Sequence, residues 1–259
     1  MAHRVAIVIP VRNEAAGLAR LAATLARLDP PCAEVIVVDG DSEDGTTTAA
    51  AALGLRVLRS TSPSRAGGIN TGVAACTVPF VCVLHADTVL PPDAVAVIGR
   101  VLSDPGVALA GFTPVIRGTR LRWATTAHNW AKTWYAPLLF RPDLFFRGGR
   151  LLFGDHAMFF RRADFDAVGG CDERLAIMED ADLCVRLTRR GRVRLIPRVV
   201  VTSDRRIAAW GSLRANWVYL SVSVRWAVGA QRGLGRRYPD VRELPSTPAP
   251  TAKSIIRPR

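Results

Sequence analysis

The sequence predicts an α/β fold, a mostly parallel sheet with helices on both faces, followed by an amphipathic helical segment towards the C-terminus. Three observations predict it. The apolar runs Val5–Ile9, Glu34–Val38 and Phe80–Leu84 are continuous rather than alternating, as strands covered on both faces require. Stretches with helical apolar spacing lie between them, the pattern of a layered α/β domain. Polar and acidic residues stop the strands, and ligands of open α/β sheets bind beyond the carboxyl ends of the strands.

Taken in order, Val5–Ile9 is a strand ended by Pro10, and Ala15–Leu28 is a helix with Leu18, Leu21, Leu25 and Leu28 on one stripe. Glu34–Val38 is a strand stopped by Asp39. Ala49–Leu53 continues a helix entered through Gly45-Thr46, and Leu55–Leu58 is a third strand. Ser64–Ala75 reads as a helix and Phe80–Leu84 as the fourth strand. The second half changes character. Val107–Phe112 and Met158–Phe160 read as strands, and the stretch 120–146 between them is crowded with aromatic residues. Glu179–Arg190 is a helix stopped by Gly191, and Val193–Ile196 closes the sheet. Residues 1–204 thus form the sheet domain, 205–234 an amphipathic helical appendage, and 235–259 a Pro- and Arg-rich tail expected to lack fixed structure.

The 259 residues carry a net charge of +13, placed unevenly: residues 1–111 sum to −2 and residues 112–259 to +15. A basic second half suits an anionic partner such as phosphate groups or an acidic membrane surface. Of 35 basic residues 33 are Arg; coding bias explains that preference but not the asymmetry. A nucleic-acid partner is not expected, because no recognition module accompanies the charge. Five cysteines form an odd set without C-x-x-C spacing, and the Met1–Val5 start has no leader layout. A cytoplasmic protein with reduced core thiols is the expectation.

The densest chemistry lies at Leu84-His85-Ala86-Asp87-Thr88. His85 and Asp87 are two residues apart, so on an extended chain their side chains point the same way and share one divalent cation. In Glu179-Asp180-Ala181-Asp182, spacing to Leu183, Cys184 and Leu187 puts Asp180 on the buried stripe, with Glu179 and Asp182 on another face. A carboxylate there is costly unless it lines a cavity. Asp39, directly after its strand, is placed to accept a hydrogen bond from a base or ribose, while Ser42 or Asp44 caps the next helix. Arg65, at a helix start, suits a diphosphate, although a plain surface turn explains Ser64–Asn70 equally well. The stretch Pro10–Glu14 can meet a nucleotide, or Asn13 simply caps the next helix. Gly154-Asp155-His156 adds a polar wall to the cleft or forms only a turn.

Together, VAIVIPVRNEAAGL, EVIVVDGDSEDGT, SRAGGINTG, FVCVLHADTVLPPD, GDHAMFFRRADFDAVGG and MEDADLCVRLTRRG resemble the family 2 glycosyltransferases, in the family's order over about residues 3–200. The nearer likeness is to a small subgroup with a His-Ala-Asp-Thr segment. The resemblance implies the GT-A fold, a nucleoside diphosphate sugar donor, a divalent cation (manganese or magnesium) and inversion at the anomeric carbon. It implies that Pro10, Arg12, Glu14, Asp39 and Arg65 hold the nucleotide, that Asp87 is the last position of the Asp-x-Asp metal motif, and that Asp180 is the catalytic base. His85 stands where the family has the first aspartate, and Gly40-Asp41 inverts the usual Asp-Gly order. The Gln-x-x-Arg-Trp motif of processive synthases is absent, so one sugar per encounter is expected.

Two rival readings are a nucleotidyltransferase of similar architecture and a non-catalytic sugar- or lipid-binding protein. The first wants a Gly-rich loop after the first strand, which Pro10–Glu14 lacks; the second leaves Asp87 and Asp180 without purpose. The stretch 207–228 is apolar but carries Arg214 and Arg225, and two arginines near mid-bilayer disfavour a span. With Trp210, Trp217, Tyr219 and Trp226, it reads either as a core helix packed on the sheet or as a peripheral helix on the cytoplasmic membrane face, which with the aromatic segment Trp123–Phe146 beside it brings the cleft to a lipid-borne or membrane-proximal hydroxyl acceptor.

Overall fold

A computed structural model describes residues 4–118, 122–230 and 233–237. The first half alternates strand and helix: β1 Val5–Val11, α1 Ala15–Leu25, β2 Glu34–Asp39, α2 Thr46–Ala52, β3 Arg56–Arg59, α3 Arg65–Ala74 and β4 Phe80–Val83. Then come β5 Thr88–Val89, α4 Ala94–Leu102, β6 Val107–Arg117, α5 Trp123–Phe140, α6 Pro142–Phe146, a 3-10 turn at Gly154–His156 and β7 Phe159–Arg161. The chain continues through α7 Arg162–Ala167, α8 Glu179–Leu187, β8 Arg192–Ser203, α9 Arg205–Trp210, α10 Ser212–Ala227 and α11 Leu234–Arg237.

The eight strands form one sheet in the order β3-β2-β1-β4-β7-β6-β8-β5. Pairing is parallel from β3 to β4 and between β6 and β8. β7 runs antiparallel to both neighbours and β5 antiparallel to β8. Six strands therefore point one way, as the sequence predicts, and alternate strand residues feed two cores. Val8, Val38, Val83 and Phe160 pack with Ile69 and Val73 of α3, Ala136 of α5, and Leu183 and Leu187 of α8. Ile7, Ile9, Cys82 and Phe159 pack with Leu18 and Leu21 of α1, Ala50 of α2, and Val95, Ile98 and Leu102 of α4. The two helical layers follow from these two faces.

Several expectations need correction. The sequence reading assigns nothing to 94–102, where α4 presents its apolar stripe to the sheet. β6 and β8 run on to Arg117 and Ser203, well past Phe112 and Ile196, because they pair along most of their length. The stretch 207–228 is not one helix: Gly211, at φ +76° and ψ 152°, breaks it into α9 and α10. These helices pack against the end of β6, where Ile116, Ile207, Trp210 and Ala215 form a small apolar cluster. No helix among the described residues is long and apolar enough to cross a membrane. The tail expected from residue 235 onwards lies outside the described residues beyond the end of α11.

Two glycines set the position of α3. A Cβ at Gly72 would overlap Val8, and one at Gly68 would stand 3.2 Å from Pro10. The helix thus lies directly on β1 and delivers Arg65 to the sheet's carboxyl edge.

Candidate active site

The carboxyl ends of β1, β2, β4, β6 and β8 open on one edge, where antiparallel β7 begins. A cavity of about 460 Å³ lies there. Pro10, Arg12 and Glu14 line it from β1, Arg65 from α3, His85 and Asp87 from β4, and Asp180 from α8. Asp39 is not among its lining residues, although its neighbours Val38 and Gly40 are. One edge of the sheet therefore gathers nearly every residue singled out from sequence.

Asn13 does not cap α1. It sits at φ +53°, donates its N–H to Ser42 Oγ (2.9 Å) and accepts the Glu43 N–H at Oδ1 (2.9 Å). It ties the loop after β1 to the loop after β2. The acid-rich turn then sorts itself. Asp41 pairs with Arg59 at 2.7 Å, and Asp44 accepts the N–H groups of Ala15 and Thr46. Asp39 accepts the Ser42 N–H at Oδ2 (3.2 Å), while its buried Oδ1 has no partner. An orphaned buried acceptor costs stability until a donor arrives, which suits a nucleotide hydroxyl or amine.

Ser64 caps α3 by accepting the Gly67 N–H (3.0 Å) and places Arg65 in the first turn. The Arg65 guanidinium bonds Glu179 and lies 3.7 Å from Asp180 Oδ2. This corrects the helical-wheel expectation for α8. Glu179 is 1% exposed and Asp180 3%, so both acids are buried at the helix start. Met178, at φ +74°, turns the chain into α8 so that both carboxyls meet α3. Asp182 behaves as an ordinary surface acid and pairs with Arg186 at 2.7 Å.

Burial, and then the neighbouring Glu179 charge, push the Asp180 carboxyl up to about 7, with Arg65 pulling the other way. Its Oδ1 is buried and has no hydrogen-bond partner. Burial thus outweighs the Arg65 charge at this carboxyl.

The extended-chain premise for His85 and Asp87 fails. The Thr88 N–H donates to the His85 carbonyl (3.0 Å), so the chain turns between them. His85 is half-buried, its ring packed against Gly154, where any Cβ would overlap it. Burial and Arg65 pull its pKa down to about 4, leaving a neutral imidazole whose Nε2 has no partner. Asp87 faces the cavity and bonds Arg205 Nη2 at 3.0 Å. Among the described residues no group of three His, Cys, Asp or Glu side chains could hold a metal ion. The donor set fits a cation anchored by Asp87 that takes its other ligands from elsewhere; His85 offers a neutral nitrogen nearby.

Two features escape the sequence reading. Arg205, the first residue of α9, bonds Glu14 at 2.9 and 3.0 Å as well as Asp87. Its only signal is a basic pair one residue beyond the last long strand. The polar wall at Gly154–His156 is larger than the motif suggests. Asp155 bonds His156 Nδ1 (2.9 Å) and Asn129 of α5, and Lys132 of α5 lies 3.7 Å above the Phe153 ring. Burial alone would raise the Asp155 carboxyl, but His156, Lys132 and Asn129 together hold it well below the usual carboxylate range.

Residues 6–169 match the family model for glycosyl transferase family 2. The chain belongs to this family. It is 33% identical over 219 residues to the pre-mycofactocin glycosyltransferase of Mycobacterium tuberculosis, covering 79% of the chain and 43% of that protein. The chain thus spans less than half the length of this curated relative. Among solved structures it resembles a mannosyltransferase from Pyrobaculum calidifontis in complex with GDP-Man and Mn2+, with TM-score 0.65 and 20% identity over 89% of this chain and 64% of that one. It also resembles glucosyl-3-phosphoglycerate synthase from M. tuberculosis in complex with Mn2+, UDP and glucosyl-3-phosphoglycerate, with TM-score 0.57 and 20% identity over 88% and 80%. The fold is GT-A.

Proposed function

We propose that this member of the family, marked by its His-Ala-Asp-Thr segment, moves a single sugar with inversion from a nucleoside diphosphate sugar to a hydroxyl acceptor, with Asp180 as the base. The observation that carries the reading is the Asp180 carboxyl. It is buried, has an unpartnered oxygen, and lines the same cavity as Arg12, Arg65 and Asp87. A carboxylate with pKa near the working pH is matched to proton abstraction.

In the reaction, the acceptor oxygen attacks the anomeric carbon from the face opposite the diphosphate. Asp180 Oδ1 takes the hydroxyl proton, and the bond between anomeric carbon and phosphate oxygen breaks with its electron pair leaving on the diphosphate. Arg65 lines the cavity beside the base, so its charge would favour the departing diphosphate. Asp39 Oδ1, with Pro10, Arg12 and Glu14, receives the nucleoside, and Asp87, with the His85 nitrogen in the same cavity, would hold the cation. A bound manganese or magnesium ion would offset charge on the leaving diphosphate. Incubating the protein with a panel of sugar nucleotides, with and without manganese, should release nucleoside diphosphate from one of them. Release from none, together with nucleotide transfer onto a sugar phosphate, would favour the nucleotidyltransferase reading instead.

The acceptor is lipid-borne or membrane-proximal in this reading. α5 and α10 turn one face to the cavity, with Asn129, Lys132, Asn216 and Tyr219, and the other outward. Trp123 is 73% exposed and Trp217 69%, joined by exposed Trp130, Leu139, Phe146 and Leu213. Of the four aromatics expected at the headgroup boundary only Trp217 is exposed; Trp210 is buried and Tyr219 lines the cavity. The bilayer-facing surface is therefore set by α5 and α6 together with α10. The protein should float with vesicles containing anionic lipid at low salt, and Trp130→Ser with Trp217→Ser should abolish flotation. Protein that stays at the bottom of the gradient, or a double variant that floats unchanged, defeats this placement.

A further inference from the structure

Arg205 is a residue of the cleft that neither the motifs nor the proposed chemistry uses. Its guanidinium takes both oxygens of Glu14 at 2.9 and 3.0 Å and then Asp87 Oδ2 at 3.0 Å. The carboxylates come from the ends of neighbouring strands β1 and β4, so one planar fork spans the two strands. We infer that Arg205 makes cation binding conditional on the donor: it occupies Asp87 until the donor's diphosphate draws its guanidinium away and the cation takes its place.

Charge and geometry support the exchange. Glu14 and Asp87 sum to −2 and Arg205 brings the trio to −1, so a cation arriving alone meets a carboxylate already paired and a guanidinium that repels it. No group of three metal-binding side chains stands ready among the described residues, so a cation gains little from the protein alone. The donor changes both terms. Its diphosphate supplies further oxygen ligands, and it is a planar fork's preferred partner alongside carboxylate. The Arg205 side chain is 44% exposed at the start of α9, on a stem long enough to re-aim without moving the helix. The inference rests on the proposed donor chemistry.

Calorimetry on the whole chain tests it, with manganese alone, with UDP, GDP, ADP and dTDP alone, and with each pair. In the wild type, manganese should bind at least about 10-fold tighter with the preferred nucleotide present, and the nucleotide likewise with manganese, since coupling is reciprocal. In Arg205→Gln, manganese alone should bind at least about 10-fold tighter than in the wild type. The nucleotide with manganese should bind at least about 10-fold weaker, and the coupling should shrink towards unity. Arg205→Lys keeps the charge without the fork; it should hold manganese alone near the wild-type affinity and still weaken the nucleotide. Its thermal unfolding midpoint guards against a variant that does not fold. Manganese binding to Arg205→Gln that is unchanged or weaker overturns the inference while leaving the proposed function standing. Failure of every nucleotide to bind the wild type, with or without manganese, overturns that function and this inference with it.

Discussion

Asp180→Asn is expected to keep donor binding and to lower kcat by about 10²-fold or more, the usual scale for a positioned base. The amide is isosteric and retains the Gly154 N–H contact that Asp180 accepts. It removes the ability to take a proton, together with the negative charge beside Arg65. A pH profile adds a second reading. The base works ionised, and the Asp180 pKa is raised to about 7, so kcat should climb as pH rises through about 7 and level off above it. The groups acting on that carboxyl are Glu179 on its own helix, Arg65 from α3, Asp155 ahead of β7 and the Gly154 N–H. Removing the Arg65 charge should therefore move the rise to higher pH. Burial of two acids makes the neighbour the necessary control. If Glu179→Gln is dead and Asp180→Asn transfers normally, the base is Glu179.

The fold was legible because its signals are local. Continuous apolar runs at Val5–Ile9 and Phe80–Leu84 cannot sit in a one-sided sheet, and both are buried on both faces. Strand ends marked the site for the same reason. Chain ends of parallel strands collect at one edge, so Glu14, His85 and Asp87 had to be near one another. What stayed hidden depends on contacts distant in sequence. The helical wheel placed Glu179 outside because it contains no α3, and Arg65 stands 114 residues away. Arg205 was silent because its partners Glu14 and Asp87 lie 191 and 118 residues before it. The pairing of His85 and Asp87 assumes an extended chain, whereas the chain turns there, with the Thr88 N–H on the His85 carbonyl. The break at Gly211 was similarly invisible, since apolar content says nothing about the angle between α9 and α10.

Asp87→Ala is expected to remove most of the manganese-dependent part of nucleotide binding. A change one shell out from a metal commonly costs about 10–100-fold in affinity, so loss of the anchoring carboxylate should cost at least that. The measurement is nucleotide affinity with manganese and with chelator, for wild type and variant. Asp87 has a second partner, so two roles must be separated. If it serves only as a counter-ion for Arg205, its removal alters binding in chelator, because the guanidinium then rests on Glu14 alone at 2.9 and 3.0 Å. The increment due to manganese would survive. If Asp87 is the anchor, the manganese increment disappears, whatever change the freed Arg205 makes to binding in chelator. His85 gives the converse control. Its imidazole is neutral and its buried Nε2 has no partner, so His85→Ala should weaken manganese-dependent binding only if that nitrogen reaches the cation. An Asp87→Ala protein whose nucleotide affinity responds to manganese as the wild type does would strip Asp87 of the role, whatever the family motif implies.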